Sequence, residues 1–150
     1  MNTLKEEVFR FCTEFVHSRI SRIKASIAEI EESLQSETKS SAGDKHETGR
    51  AMIQLEREKL GAQLAEAERM FQILLRTAKT SVSNKGVLGS LVFTSAGNYY
   101  LSVSAGEFKN SELSVFCISA ATPIGKLLLG KEVGNEVSFR DKKITVLEIK

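Results

Sequence analysis

The 150-residue chain has no tryptophan, two tyrosines, two cysteines and a formal net charge of only +2, and each scarcity narrows the functions open to it. Cys12 and Cys117 stand in separate apolar stretches with no C-x-x-C and no Cys/His cluster, so buried reduced thiols are expected rather than a disulfide or a zinc site. The small net charge provides no basis for nonspecific nucleic-acid binding. No apolar run approaches the roughly 20 residues that a membrane helix needs. The opening residues, Met1-Asn2-Thr3-Leu4-Lys5-Glu6-Glu7, lack the basic segment and apolar block of an export signal. A cytoplasmic location and no membrane partner are therefore expected. No Ser/His/Asp, Cys/His or P-loop constellation appears, which argues against an independent enzyme. What is present, 41% hydrophobic and 27% charged residues, is the composition of a globular protein, and the length limits it to one or two small domains.

Glycine is scarce only in the first part. Residues 1–80 contain Gly43, Gly49 and Gly61, and the other seven of the ten glycines follow. Acids and bases balance at 13 each over residues 1–80, interleaved around apolar positions as on solvent-facing helices. Phe9, Val16, Ile23 and Ile30 recur every seven residues, with Ile20, Ile27 and Leu34 following at 4,3 spacing. A second seam runs Ile53, Leu60, Leu64, Ala67, Phe71 and Leu74. This alternation predicts two helices that pack as an antiparallel coiled-coil hairpin over residues 1–80, joined by a polar stretch from about Gln35 to Lys45, with the tip near 36–47. Phe11 and Phe15 fall off the strict seam. They are expected either to dock the coil on the second domain or to thicken the helical core. His17 has no ligand-type neighbour and reads as a surface residue.

Residues 81–150 form the second domain, preceded by a linker at about 80–86. Their Val, Ile, Phe and Tyr runs are broken by Ser95-Ala96-Gly97-Asn98, Ala105-Gly106 and Gly134-Asn135, the punctuation of strands and turns. Strands are expected at about 87–94, 99–104, 113–119, 136–140 and 143–149. A short helix is bounded by Thr122 as N-cap, Pro123 in the first turn and Gly130 as the stop. Leu128, Leu129 and Val133 are expected to bury near it. The fold class is α+β: a helical hairpin followed by a small antiparallel sheet with one short helix.

The segment Thr122-Pro123-Ile124-Gly125-Lys126-Leu127-Leu128-Leu129-Gly130-Lys131-Glu132-Val133-Gly134-Asn135-Glu136-Val137 resembles the C-terminal signature of the Gre family, bacterial transcription elongation and transcript cleavage factors. That signature runs approximately S-P-[LI]-[GA]-x-A-[LI]-[LI]-G-K-x-x-G-[DE]. The proline, the glycines and Lys131 keep its spacing, while Thr122 and Asn135 are conservative departures and Leu127 replaces a small residue. The order of parts is also similar, since Gre proteins have an N-terminal coiled-coil hairpin followed by an FKBP-like domain. The resemblance implies a factor, not itself an enzyme, that docks on RNA polymerase through the C-terminal domain and inserts the hairpin into the secondary channel. It implies contact with nascent RNA or DNA only inside that complex, and a monomer is expected. Pro123, Lys126 and Lys131 become candidate partner-binding residues, beside the purely structural reading of the same segment. The FKBP-like name does not bring prolyl isomerase activity with it, because an aromatic-lined pocket is not evident with only Tyr99 and Tyr100 at hand.

In Gre factors the tip presents a D-x-x-E pair, and Asp44-Lys45-His46-Glu47 keeps that spacing. The resemblance implies that Asp44 and Glu47 are the catalytic and metal-binding carboxylates, sharing a magnesium ion with the polymerase active site; no tightly bound cofactor is expected in the free chain. Asp44 and Glu47 also read as a capping box for the second helix, which Ser41 and Asp44 can equally build. The chain departs from the family after Glu47, with Thr48, Gly49 and Arg50. Lys45, His46 and Arg50 place positive charge beside the two acids, which competes with a metal for the same oxygens. His46 reads either as a proton shuttle or as a solvated loop residue. A noncatalytic secondary-channel regulator, an inhibitor or initiation modulator, is therefore the alternative to cleavage, and a Rnk-like regulator is a more distant one.

Overall fold

The computed structural model describes residues 3–39 and 44–150, with the side chains of all of these except residues 37–39 and 44–46. Two long helices come first, α1 (Leu4–Lys39) and α2 (Asp44–Thr77). Six strands and one short helix follow: β1 (Leu91–Thr94), β2 (Gly97–Ser102), β3 (Gly106–Lys109), β4 (Ser114–Ser119), α3 (Pro123–Leu128), β5 (Glu136–Phe139) and β6 (Lys142–Ile149). The fold is α+β, as expected. The polar stretch at the end of α1 stays helical to Lys39 because Gln35 to Lys39 contain neither Gly nor Pro and suit a helix interior.

Residues 16–70 form one compact unit, and residues 1–15 with 71–150 form the other. In the first unit, Ile23, Ile27, Leu60 and Ala67 are buried, with Ile20, Ile30 and Leu64 packed against them. Arg19 meets the Met70 sulfur at 3.7 Å and Glu31 meets Arg57 at 3.2 Å, so numbering rises along α1 as it falls along α2. The helices are antiparallel, and the predicted seam supplies their contact.

The second unit is built on one sheet of order β3-β4-β2-β1-β6-β5. Its pairs are antiparallel except β2 with β4, which run parallel from Tyr99↔Phe116 to Ser102↔Ser119. The sheet is thus mostly antiparallel, as expected, with β2–β4 as the one departure. The chain leaves β2, forms β3 at the edge and returns through the turn at Asn110 to place β4 between them. Asn110 holds that turn by accepting hydrogen bonds from the N–H groups of Glu112 and Leu113. Strand β3, Gly-Glu-Phe-Lys, was not predicted, because its composition is poor in strand formers and its pairing with β4 decides its conformation.

Alternation divides the strands between two faces. One face presents Val92, Leu101, Val137, Ile144 and Val146 to Ile124 and Leu128 of α3. The other presents Leu91, Tyr100, Val115 and Cys117, all buried. Phe11 of α1 packs edge-on against Phe108 at 5.7 Å, and Thr77 at the end of α2 shares a 2.9 Å hydrogen bond with Ser102. Phe11 therefore docks the base of α1 on the sheet. Cys12 and Cys117 are both free and buried. A hydrogen bond with Cys117, then burial, pushes the Cys12 thiol far above its ordinary range. Near its start α1 buries Val8 and Cys12 fully, whereas the seam residue Phe9 is only half-buried. The seven-residue repeat misplaced the core there because this part of α1 packs on a sheet as well as on a helix.

The segment read as a linker is tied down at its far end. Gly86 donates to the Lys131 carbonyl at 2.8 Å, and its own carbonyl accepts from Gly130 at 2.7 Å. A Cβ on Gly86 would lie 2.2 Å from the Leu128 carbonyl oxygen, so only glycine fits this approach to the end of α3.

Candidate functional site

Two places bear the residues singled out by sequence. The first is the start of α2. Asp44 is its first residue and Glu47 lies three residues on, a spacing that puts both on one side of the helix. Glu47 and Arg50 are exposed and share that same spacing. The side chains of Asp44, Lys45 and His46 lie outside the described residues, as does Ser41, so the capping-box and proton-shuttle readings fall there too. Among the described residues no group of three or more His, Cys, Asp and Glu side chains is placed to hold a metal ion. Two carboxylates on one turn suit hard-cation chemistry as donors, but they supply far fewer than the six oxygens an octahedral magnesium ion takes.

The second place is residues 122–137. Thr122 is extended (φ −71°, ψ 157°), and its hydroxyl accepts from the Gly125 N–H at 3.2 Å while donating to the Ser119 carbonyl at 2.7 Å. It is the expected N-cap, with Pro123 in the first turn, where a missing N–H costs nothing. Gly125 has a role that reading the segment did not assign. A Cβ there would stand 2.3 Å from the Ser119 carbonyl oxygen and 2.9 Å from Thr122 Oγ1. Gly130 and Gly134 serve differently, with φ of +77° and +92° and open space within 4 Å of where a Cβ would stand.

Pro123, Lys126 and Leu129 succeed one another at intervals of three along an exposed side of α3 and its cap. Lys131 is separate and half-buried; its N–H donates to the Leu128 carbonyl at 3.2 Å. Leu128 is fully buried as expected, but Leu129 is 37% exposed and Val133 58% exposed, against the expectation. Leu129 leaves the helix in an extended conformation and Val133 sits in the turn before β5, so neither follows the helical face that buries Leu128. The result is an exposed strip of proline, lysine and leucine side chains, with Val133 on the following turn. The sequence signal for it was the N-cap and stop, which set where α3 ends.

No helix among the described residues is long and apolar enough to cross a membrane. Compared with known proteins, the chain matches no family model and no curated protein.

Proposed function

We propose that this chain is a Gre-like transcription elongation factor, which binds RNA polymerase, inserts the end of its helical hairpin into the secondary channel and stimulates cleavage of backtracked RNA. The observation that carries the reading is the family-like segment 122–137, whose cap, close-packed glycine and left-handed glycines build one short helix and its exit. The antiparallel α1–α2 pair supports it, because Asp44 and Glu47 fall at the start of α2, on the side of the hairpin remote in sequence from the sheet. Docking is assigned to the strip of Pro123 and Lys126, with Lys131 beside the turn. The chemistry a bound magnesium supplies is activation of water for in-line attack on a phosphodiester. Asp44 and Glu47 contribute oxygen ligands, and the polymerase contributes the rest.

A noncatalytic regulator is the second reading. It is favoured by Arg50, an exposed cation on the same side of α2 as Glu47, which opposes metal binding at that carboxylate. A cleavage assay on backtracked elongation complexes separates the two. Under the cleavage reading the wild-type chain shortens the RNA, and Asp44→Ala or Glu47→Ala abolishes this while polymerase binding persists. Binding without cleavage by the wild type establishes the noncatalytic regulator.

A further inference from the structure

On the sheet face opposite α3 lies a cleft of about 800 Å³, lined by the first turns of α1, the end of α2 and Tyr100 of β2. It uses none of the residues assigned to polymerase binding. Tyr100 is its anchor: the side chain is only 2% exposed, and among the described residues its phenol has no hydrogen-bond partner. Buried hydroxyls are ordinarily paired, because one that is not has lost water without replacement. Pairing with Leu91 of β1 and Cys117 of β4 holds the Tyr100 backbone in the middle of the sheet and keeps its side chain on this face.

Lys5 is the second element. It is half-buried, makes no ion pair among the described residues, and burial lowers its pKa. Its neighbour Glu6 is engaged, with Oε2 accepting from the Thr3 N–H at 3.0 Å and its own N–H donating to Thr3 Oγ1 at 3.1 Å. Arg10 also borders the cleft and has a partner of its own. Three of the four threonine hydroxyls have spent their protons: Thr13 donates to the Phe9 carbonyl, Thr77 to the Ile73 carbonyl and Thr80 to the Thr77 carbonyl, while Thr3 Oγ1 accepts from the Glu6 N–H. The side-chain hydrogens that remain are those of the Thr3 hydroxyl, the phenol and the ammonium. All three can donate, so a matching ligand must bring an acceptor, and the lining charges of Lys5, Arg10 and Glu6 leave one net positive charge, which calls for a single negative charge. A dianionic phosphate monoester would bring a second charge with no counterpart. Phe9 and Ala78 add apolar surface for the rest of such a molecule.

We propose that this cleft binds a small organic carboxylate, whose oxygens accept from the Tyr100 phenol and face the Lys5 ammonium while its apolar body lies against Phe9. Sodium benzoate is the probe, titrated into the full chain and followed by amide resonances, with benzyl alcohol as the uncharged control and inorganic phosphate as the second anion. Saturable millimolar binding of benzoate is expected, shifting the amides of Ala78, Thr80 and Gly89, with phosphate and benzyl alcohol clearly weaker. Tyr100→Phe and Lys5→Gln should each weaken benzoate by about fivefold or more. Tyr100→Phe removes only an unpaired oxygen, so it should melt no lower than the wild type. The proposal is overturned by absent or unsaturable shifts, by benzyl alcohol or phosphate binding as tightly as benzoate, or by either variant binding it like the wild type.

Discussion

Replacing Gly125 by alanine tests whether the glycine of segment 122–137 is required by space. The added methyl would meet the Ser119 carbonyl oxygen at 2.3 Å and the Ala120 Cα at 3.0 Å, both backbone atoms, and Thr122 Oγ1 at 2.9 Å. None is the loose end of a flexible side chain. Relief requires α3 to lift from the turn before it, which loosens the N-cap bond and the packing of Ile124 and Leu128. Overpacking of this kind costs about 2–3 kcal/mol, or a fall in melting temperature of roughly 4–12 °C for a chain of this size. Gly134→Ala is the comparison, because its φ is +92° and nothing lies within 4 Å of an added Cβ. Its cost is conformational only, about 1 kcal/mol. Thermal unfolding followed by circular dichroism should therefore rank wild type, Gly134→Ala and Gly125→Ala in descending order. A Gly125→Ala variant that melts within about 1 °C of the wild type, or above Gly134→Ala, refutes the steric argument.

Two further outcomes follow from the same unit. Arg140 and Asp141 form the two-residue turn between β5 and β6 with φ of 51° and 64°, so Asp141→Gly should stabilise the protein by about 1 kcal/mol in denaturant unfolding. The Cys12 thiol is held above its ordinary range in the folded state, first by its hydrogen bond with Cys117 and then by burial. Its stabilising contribution is complete below the unfolded thiol pKa of about 8.5 and declines as the pH rises beyond it, because the unfolded chain releases that proton first. Unfolding free energies measured from pH 7 to 10 should fall with pH, and Cys12→Ala should flatten the slope.

Much of the helical architecture was readable because its causes are local. The 4,3 spacing around Ile23, Ile27, Leu60 and Ala67 is the contact between α1 and α2, and Thr122, Pro123 and Gly130 bound α3 within a residue. What escaped depends on partners distant in sequence. Phe9 kept the heptad but lost its place in the core to Val8 and Cys12, where α1 meets the sheet. Strand β3 and the parallel β2–β4 pair arise from tertiary pairing that Glu107 and Lys109 do not advertise. The Asp44 and Glu47 spacing was visible, and so was the charge of Arg50. The donors of the cleft were not, since Lys5 and Tyr100 belong to different elements and neither forms a motif with its sequence neighbours.

The most direct test of the central claim is equilibrium binding of the fluorescently labelled full chain to bacterial core RNA polymerase, compared with the Lys126→Glu variant. Lys126 is exposed on α3 and contributes nothing to the core, so the variant should melt with the wild type. Saturable binding is predicted, weakened about tenfold or more by the charge reversal. Failure of the wild-type chain to bind, or binding that Lys126→Glu leaves unchanged, contradicts the assignment of segment 122–137 as the polymerase-docking surface.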